Sequence, residues 1–213
     1  MTSQSEPKEI EPQAKEPEKQ YKSTYKDVLG YFLPVNSVVI AVIGVFAAIT
    51  CVLTMIISIP VPATQGFINI GDAAVMITAL LFGPIIGALA GGIGSMLADV
   101  FLGYTIYAPA TLIIKGLEGF LVGLISKPRR KDLKFQTRDV VGIILGGMVM
   151  VLGYFIYEIL LWGVEIALVE IFLNGIIQFG VGATVAIIFS LTPRKSIIQT
   201  LPQVFEKIFI IKE

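Results

Sequence analysis

Between Asn69 and Gly119 four ionisable side chains, Asp72, Asp99, Lys115 and Glu118, interrupt runs that are otherwise apolar or small. Lys115 and Glu118 stand one helical turn apart with Thr111 on the same face. Further along, Tyr154, Glu158 and Trp162 form an i, i+4, i+8 stripe, and Glu170, Asn174 and Gln178 form a second. An ionisable group in hydrocarbon costs on the order of 3 kcal/mol and persists where it faces a partner or a water-filled cavity. These residue types suit recognition. Carboxylates and amides present acceptors and donors to the edge of a small polar molecule, and Tyr154 and Trp162 offer flat faces to a ring. They do not suit catalysis: the chain has no histidine and a lone cysteine, Cys51, so neither a zinc site of the usual kind nor a disulfide framework is expected. No GxxxxGK[ST] phosphate loop and no catalytic triad is visible. The expectation is therefore no enzyme, no cofactor and no metal.

Several of these residues have a plainer reading beside the functional one. Asp72 suits a helix N-cap or first turn, Asp99 and Glu165 suit an interface, Lys115 with Glu118 suits a structural ion pair, and Cys51 suits packing.

The elements that must hold them are membrane helices. Hydrophobic residues make up 55% of the 213 and charged residues 15%, which excludes an ordinary soluble domain. A hydrocarbon core about 30 Å thick requires about 17 to 25 apolar residues per spanning helix. The pattern predicts spans over 37–59, 70–82, 84–101, 108–125, 140–162 and 166–191, the first stopped by Pro60 and Pro62. The second is short, and Gly83-Pro84 either turns the chain or lies within one long helix. Charge decides between them. All but one of the 16 Lys and Arg lie in residues 1–26, in 127–138, or from Arg194 onward. Six spans place all three groups on the inner side, as the positive-inside rule asks, whereas five would put a basic segment outside.

The fold class expected is thus all-α, an integral bundle of six transmembrane helices in the plasma membrane with both termini cytoplasmic. Residues 1–30, with Glu-Pro steps among lysines, read as a disordered charged tail, and 31–192 as the membrane domain. Residues 193–213 read as an amphipathic tail on the inner leaflet, bent at Pro202, with Ile197, Ile198, Leu201, Val204, Phe205, Ile208 and Phe209 on one face. The ladder Gly83, Gly87, Gly91, Ser95 predicts backbone-to-backbone packing of the third span, and Gly44 with Ala48 forms a smaller pair on the first.

This topology gathers the polar side chains in the outer half of the bundle and implies a cavity open to the outside. Its candidate binding residues are Asn69, Asp72, Lys115, Glu118, Tyr154, Glu158, Trp162, Asn174 and Gln178. Five acids in that half, Asp72, Asp99, Glu118, Glu158 and Glu170, stand against the single base Lys115. A neutral or cationic heterocycle, such as a thiamine-related pyrimidine, pyridoxine or riboflavin, is expected over a dicarboxylate.

The run from Asn69 to Asp72, followed by LLFGPIIGALAGGIGSMLADV and YAPATLIIKGLEGFLVGLI, resembles the substrate-binding S components of energy-coupling factor (ECF) vitamin transporters. It looks closest to the branch that includes riboflavin and thiamine-precursor carriers. The resemblance covers about residues 37 to 191. It implies six helices around one vitamin near the outer face, a lid at Pro60 to Asn69, and a ligand among the fourth, fifth and sixth helices. It also implies partners, a membrane scaffold subunit and two ATPases, reached through small residues on the first helix. Gly44 and Ala48 stand there in place of the two alanines common in the family. The implied function is the S subunit of an ECF-type importer that captures a vitamin-like small molecule, with no nucleic acid involved. The alternative is a self-sufficient proton-coupled carrier using Glu158, Glu118 or Asp99, although no internal repeat or broken helix pair of the kind such carriers often show is visible.

Overall fold

The computed structural model describes residues 27–32, 36–128 and 134–209. Residues 1–26 of the expected disordered tail, and the basic residues Arg129, Arg130 and Lys131, lie outside the described residues. A two-residue hairpin, β1 (Asp27–Val28) and β2 (Tyr31–Phe32), precedes α1 (Ser37–Ile56), whose first turn is capped by the Asn36 side chain accepting from the Val38 amide at 2.9 Å. A second hairpin follows, β3 (Ser58–Val61) and β4 (Gly66–Asn69), then α2 (Gly71–Phe82), α3 (Pro84–Leu102), α4 (Ala108–Ser126) and α5 (Thr137–Trp162). The last membrane helix runs from Val164 to Leu191 as α6 (Val164–Phe172), a π-helical segment (Leu173–Gln178) and α7 (Phe179–Leu191). Two short helices, α8 (Pro193–Thr200) and α9 (Pro202–Glu206), close the chain.

The molecule is a multi-pass, predominantly helical membrane bundle. Among the described residues five helices are long and apolar enough to cross a bilayer, and α2 is the shorter sixth apolar helix. Twelve residues rise only about 18 Å, well short of a hydrocarbon core about 30 Å thick. The length is tolerated because α2 is sheathed in protein: every residue but Ile77 is buried, against α1, α3, α4 and α7. At Gly83, φ is +86°, so α2 and α3 are separate helices joined by a left-handed glycine turn.

Gly87 of the ladder and its neighbour Gly92 bring α3 close to α4. A Cβ at Gly92 would sit 2.6 Å from the Leu112 carbonyl oxygen, and one at Gly87 would sit 2.9 Å from that of Gly119, so α3 and α4 touch backbone to backbone. Met76, Ala79 and Leu80 of α2 meet Val122, Ile143 and Ala186 at the core.

The first connection differs from the sequence pattern. The first helix ends at Ile56, not Ile59, and Ser58–Val61 extend as β3, with Pro60 disfavouring helical geometry at Ile59. Residues 58–69 then fold as an antiparallel hairpin, pairing Ser58 with Asn69 and Val61 with Gly66, where a loop was expected. In the C-terminal segment the chain breaks at Leu201 before Pro202, and Ile198, Phe205, Ile208 and Phe209 are buried against Tyr31, Val39, Leu81, Phe82 and Ile86. A buried ion pair explains the docking. Arg194 donates to Asp139 at 2.9 Å, and Asp139 also closes a capping box with Gln136 at the start of α5. These contacts fix the tail on protein.

Candidate functional site

At the opposite end of the bundle from that tail lies a cavity with an empty volume of about 350 Å³, its open mouth included. It is lined by Gly66, Phe67, Asn69, Asp99, Tyr107, Thr111, Tyr154, Glu158, Asn174 and Gln178. The β3–β4 hairpin roofs it. Two hydrogen bonds hold the hairpin down: Tyr107 donates its hydroxyl to the Thr64 carbonyl at 2.7 Å, and the Asn69 amide donates to Gln178 Oε1 at 2.8 Å. Phe67 packs on Tyr104 with ring centroids 4.6 Å apart.

The walls come from helix ends and from one irregular segment. Asp99 occupies the last turn of α3, which Gly103 ends in a left-handed cap, its amide bonded back to Asp99 and Val100. Thr111 stands in the first turn of α4 and accepts the Tyr154 hydroxyl from α5 at 2.9 Å. Asp99 and Thr111 line the same cavity, so the Thr111–Tyr154 bond joins α4 to α5 beside the end of α3. Asn174 and Gln178 lie in the π-helical segment, and both are buried. Such segments recur at functional sites.

Of the candidates from the sequence, the fold brings Asn69, Tyr154, Glu158, Asn174 and Gln178 to the cavity wall. Asp72, Lys115 and Glu118 do not line it. They form a buried triad beside it, with the Lys115 ammonium in contact with the Asp72 carboxylate and 3.2 Å from Glu118 Oε2. Lys115 also lies 5.8 Å from the Tyr154 ring centroid, so the triad backs one wall. Trp162 stands behind another wall, donating its indole N–H to the Tyr107 hydroxyl at 3.3 Å. The side chain of Glu170 lies outside the described residues.

The cavity adds Gly66, Phe67, Asp99, Tyr107 and Thr111 to the sequence-based set. Gly66, Phe67 and Tyr107 sit on connections, where uncharged residues carry no depth signal. The aromatic pair Tyr104 and Tyr107 between two spans was the available hint.

A family model described as ECF-type riboflavin transporter, S component, matches residues 35–195. The chain is 32% identical over 152 residues to a Lactococcus lactis protein named Thiamine precursor transporter HmpT, covering 71% of this chain and 84% of that one. It is 48% identical over 127 residues to an uncharacterised protein of Pyrococcus woesei, covering 60% and 82%. A UPF0397 protein of Streptococcus pneumoniae is 32% identical over 126 residues, covering 59% and 64%.

Proposed function

Because the chain belongs to the family of ECF-type riboflavin transporter S components, a family of transporter subunits and not of enzymes, we propose that it captures one vitamin-like heterocycle from outside the cell and delivers it inward. Delivery depends on a membrane scaffold subunit and two ATPase subunits. The observation that carries this reading is the roofed cavity at one end of the bundle, whose wall combines aromatic faces, buried amides and carboxylates. The similarity to a protein named as a thiamine precursor transporter points the same way.

In this reading the chain crosses the membrane six times, α2 included, with both termini cytoplasmic, the hairpin outside as the lid and α8–α9 inside. Asn69, Tyr154, Glu158, Asn174 and Gln178 contact the ligand, Asp72, Lys115 and Glu118 brace the wall, and Trp162 holds Tyr107. Gly44 and Ala48 meet the partner module. Support for the last comes from exposure: nothing lies within 4 Å of a Cβ built at Gly44, whereas Ala47, Thr50 and Thr54 of the same helix are buried.

The test is native mass spectrometry of the detergent-purified chain for a copurified small molecule, followed by uptake of that compound with and without ECF partner subunits. A bound heterocycle and partner-dependent uptake are expected. Uptake by the chain alone would make it the proton-coupled carrier, and binding of an exclusively anionic compound would remove the preference for a neutral or cationic ring.

A further inference from the structure

The charge on the cavity wall is one-sided. Lys115 is engaged by two carboxylates, Asp72 and Glu118, and does not line the cavity. The ionisable groups that face the space as acids are Asp99 and Glu158. Asp99 is 4% exposed, and its Oδ2 has no hydrogen-bond partner among the described residues. Beside it on the wall stands Thr111, whose oxygen accepts the Tyr154 hydroxyl. A buried acceptor left open at the edge of an enclosed site is costly unless something donates to it. The Tyr107 and Tyr154 hydroxyl hydrogens already point to Thr64 and Thr111, so neither supplies that donor and the oxygen is open to the occupant.

Resting on the function proposed above and narrowing it, we infer that Asp99 selects the ligand: its free carboxylate oxygen receives an N–H donor from the amino substituent of a nitrogen heterocycle. The neutral amide of Asn174, also on the wall, meets ring nitrogens or hydroxyls, since an amide offers both donor and acceptor. A ring that places a carbonyl oxygen where the amine stands would oppose the Asp99 oxygen with another acceptor and leave both unpaired. Asp99 is thus a specificity residue.

Calorimetric titration of the full chain in detergent tests this with two matched pairs. One is 4-amino-5-hydroxymethyl-2-methylpyrimidine and its 4-oxo counterpart, the other pyridoxamine and pyridoxine, with riboflavin, which has an imide N–H but no amino substituent, beside them. In the wild type the amino member of at least one pair should bind ten-fold or more tighter than its partner. Asp99→Asn, which places a donor amide where the acceptor was, should reduce that ratio to near one, and Asp99→Glu should restore part of it. Melting temperatures of both variants close to wild type are expected. If riboflavin or an oxo or hydroxyl member binds as tightly as any amine, or if Asp99→Asn keeps the preference, the inference is overturned while the vitamin-binding function stands. Binding of none of the five by the wild type overturns both.

Discussion

Lys115 carries one positive charge between two carboxylates, all three buried within the bundle. Asp72 and Glu118 therefore need Lys115 to remain inside, and removing one partner of a buried charge network costs about 3–5 kcal/mol. Lys115→Met should lower the melting temperature in detergent markedly. Adding Asp72→Asn and Glu118→Gln should recover much of the loss, because neutral replacement of a whole network is often tolerated. A variant that keeps its melting temperature but loses ligand would make Lys115 a ligand contact. At the wall, Glu158→Gln and Asn174→Ala should each weaken binding about ten-fold or more, the effect of a partner left unpaired at about 1–3 kcal/mol. Unchanged calorimetric affinity in both would place the ligand elsewhere. The i, i+4 stripe made Glu158, Asn174 and Gln178 legible in the sequence, since a polar residue at membrane depth is conspicuous. Spacing alone did not separate wall from brace, because Lys115 and Thr111 share a face of α4, yet only Thr111 lines the cavity. The difference arises from Asp72, which reaches Lys115 from another helix.

The β3–β4 hairpin is latched at two points to different elements, by Tyr107 before α4 and by Gln178 in the π-helical segment. A net hydrogen bond of about 0.5–1.5 kcal/mol sets the scale for opening. Tyr107→Phe removes the bond to Thr64 and the acceptor for Trp162, and should speed ligand dissociation about two- to ten-fold with little change in association. Stopped-flow fluorescence of Trp162 reads both rates, and a slower dissociation would exclude the hairpin as the lid. At the other end, Arg194→Leu leaves Asp139 buried without its cation and should destabilise the protein by about 3–5 kcal/mol. A shift in melting temperature below one degree would mean that the tail rests on the lipid surface after all. Helix positions were readable because apolar length and glycine spacing act locally. The hairpin and the docked tail were not, because cross-strand pairing depends on distant residues, and an amphipathic face looks the same whether lipid or protein covers it.

At the scale of the whole molecule, the two ends of the bundle are chemically unlike. One end holds the cavity, the other the Arg194–Asp139 pair and the buried aromatic contact of Tyr31 with Phe209. The proposed orientation predicts that, in a Cys51→Ala background, a cysteine replacing Gln65 at the hairpin tip reacts with an impermeant thiol reagent from outside intact cells. One replacing Gln199 on α8 should react only after permeabilisation. Labelling of both from one side would contradict an odd number of crossings between them. Between these ends, α1 presents an apolar outer face, with Val45, Ile49, Val52 and Ile56 exposed around Gly44 and Ala48. Lipid covers such a face equally well with large or small residues, whereas another helix needs small ones to bring its backbone close. Gly44→Leu or Ala48→Leu points a large side chain away from the bundle, so each should leave calorimetric affinity and melting temperature near wild type while abolishing partner-dependent uptake. Loss of binding together with uptake would mean that the face supports the fold and that the partner docks elsewhere. Retention of both would mean that it faces only lipid.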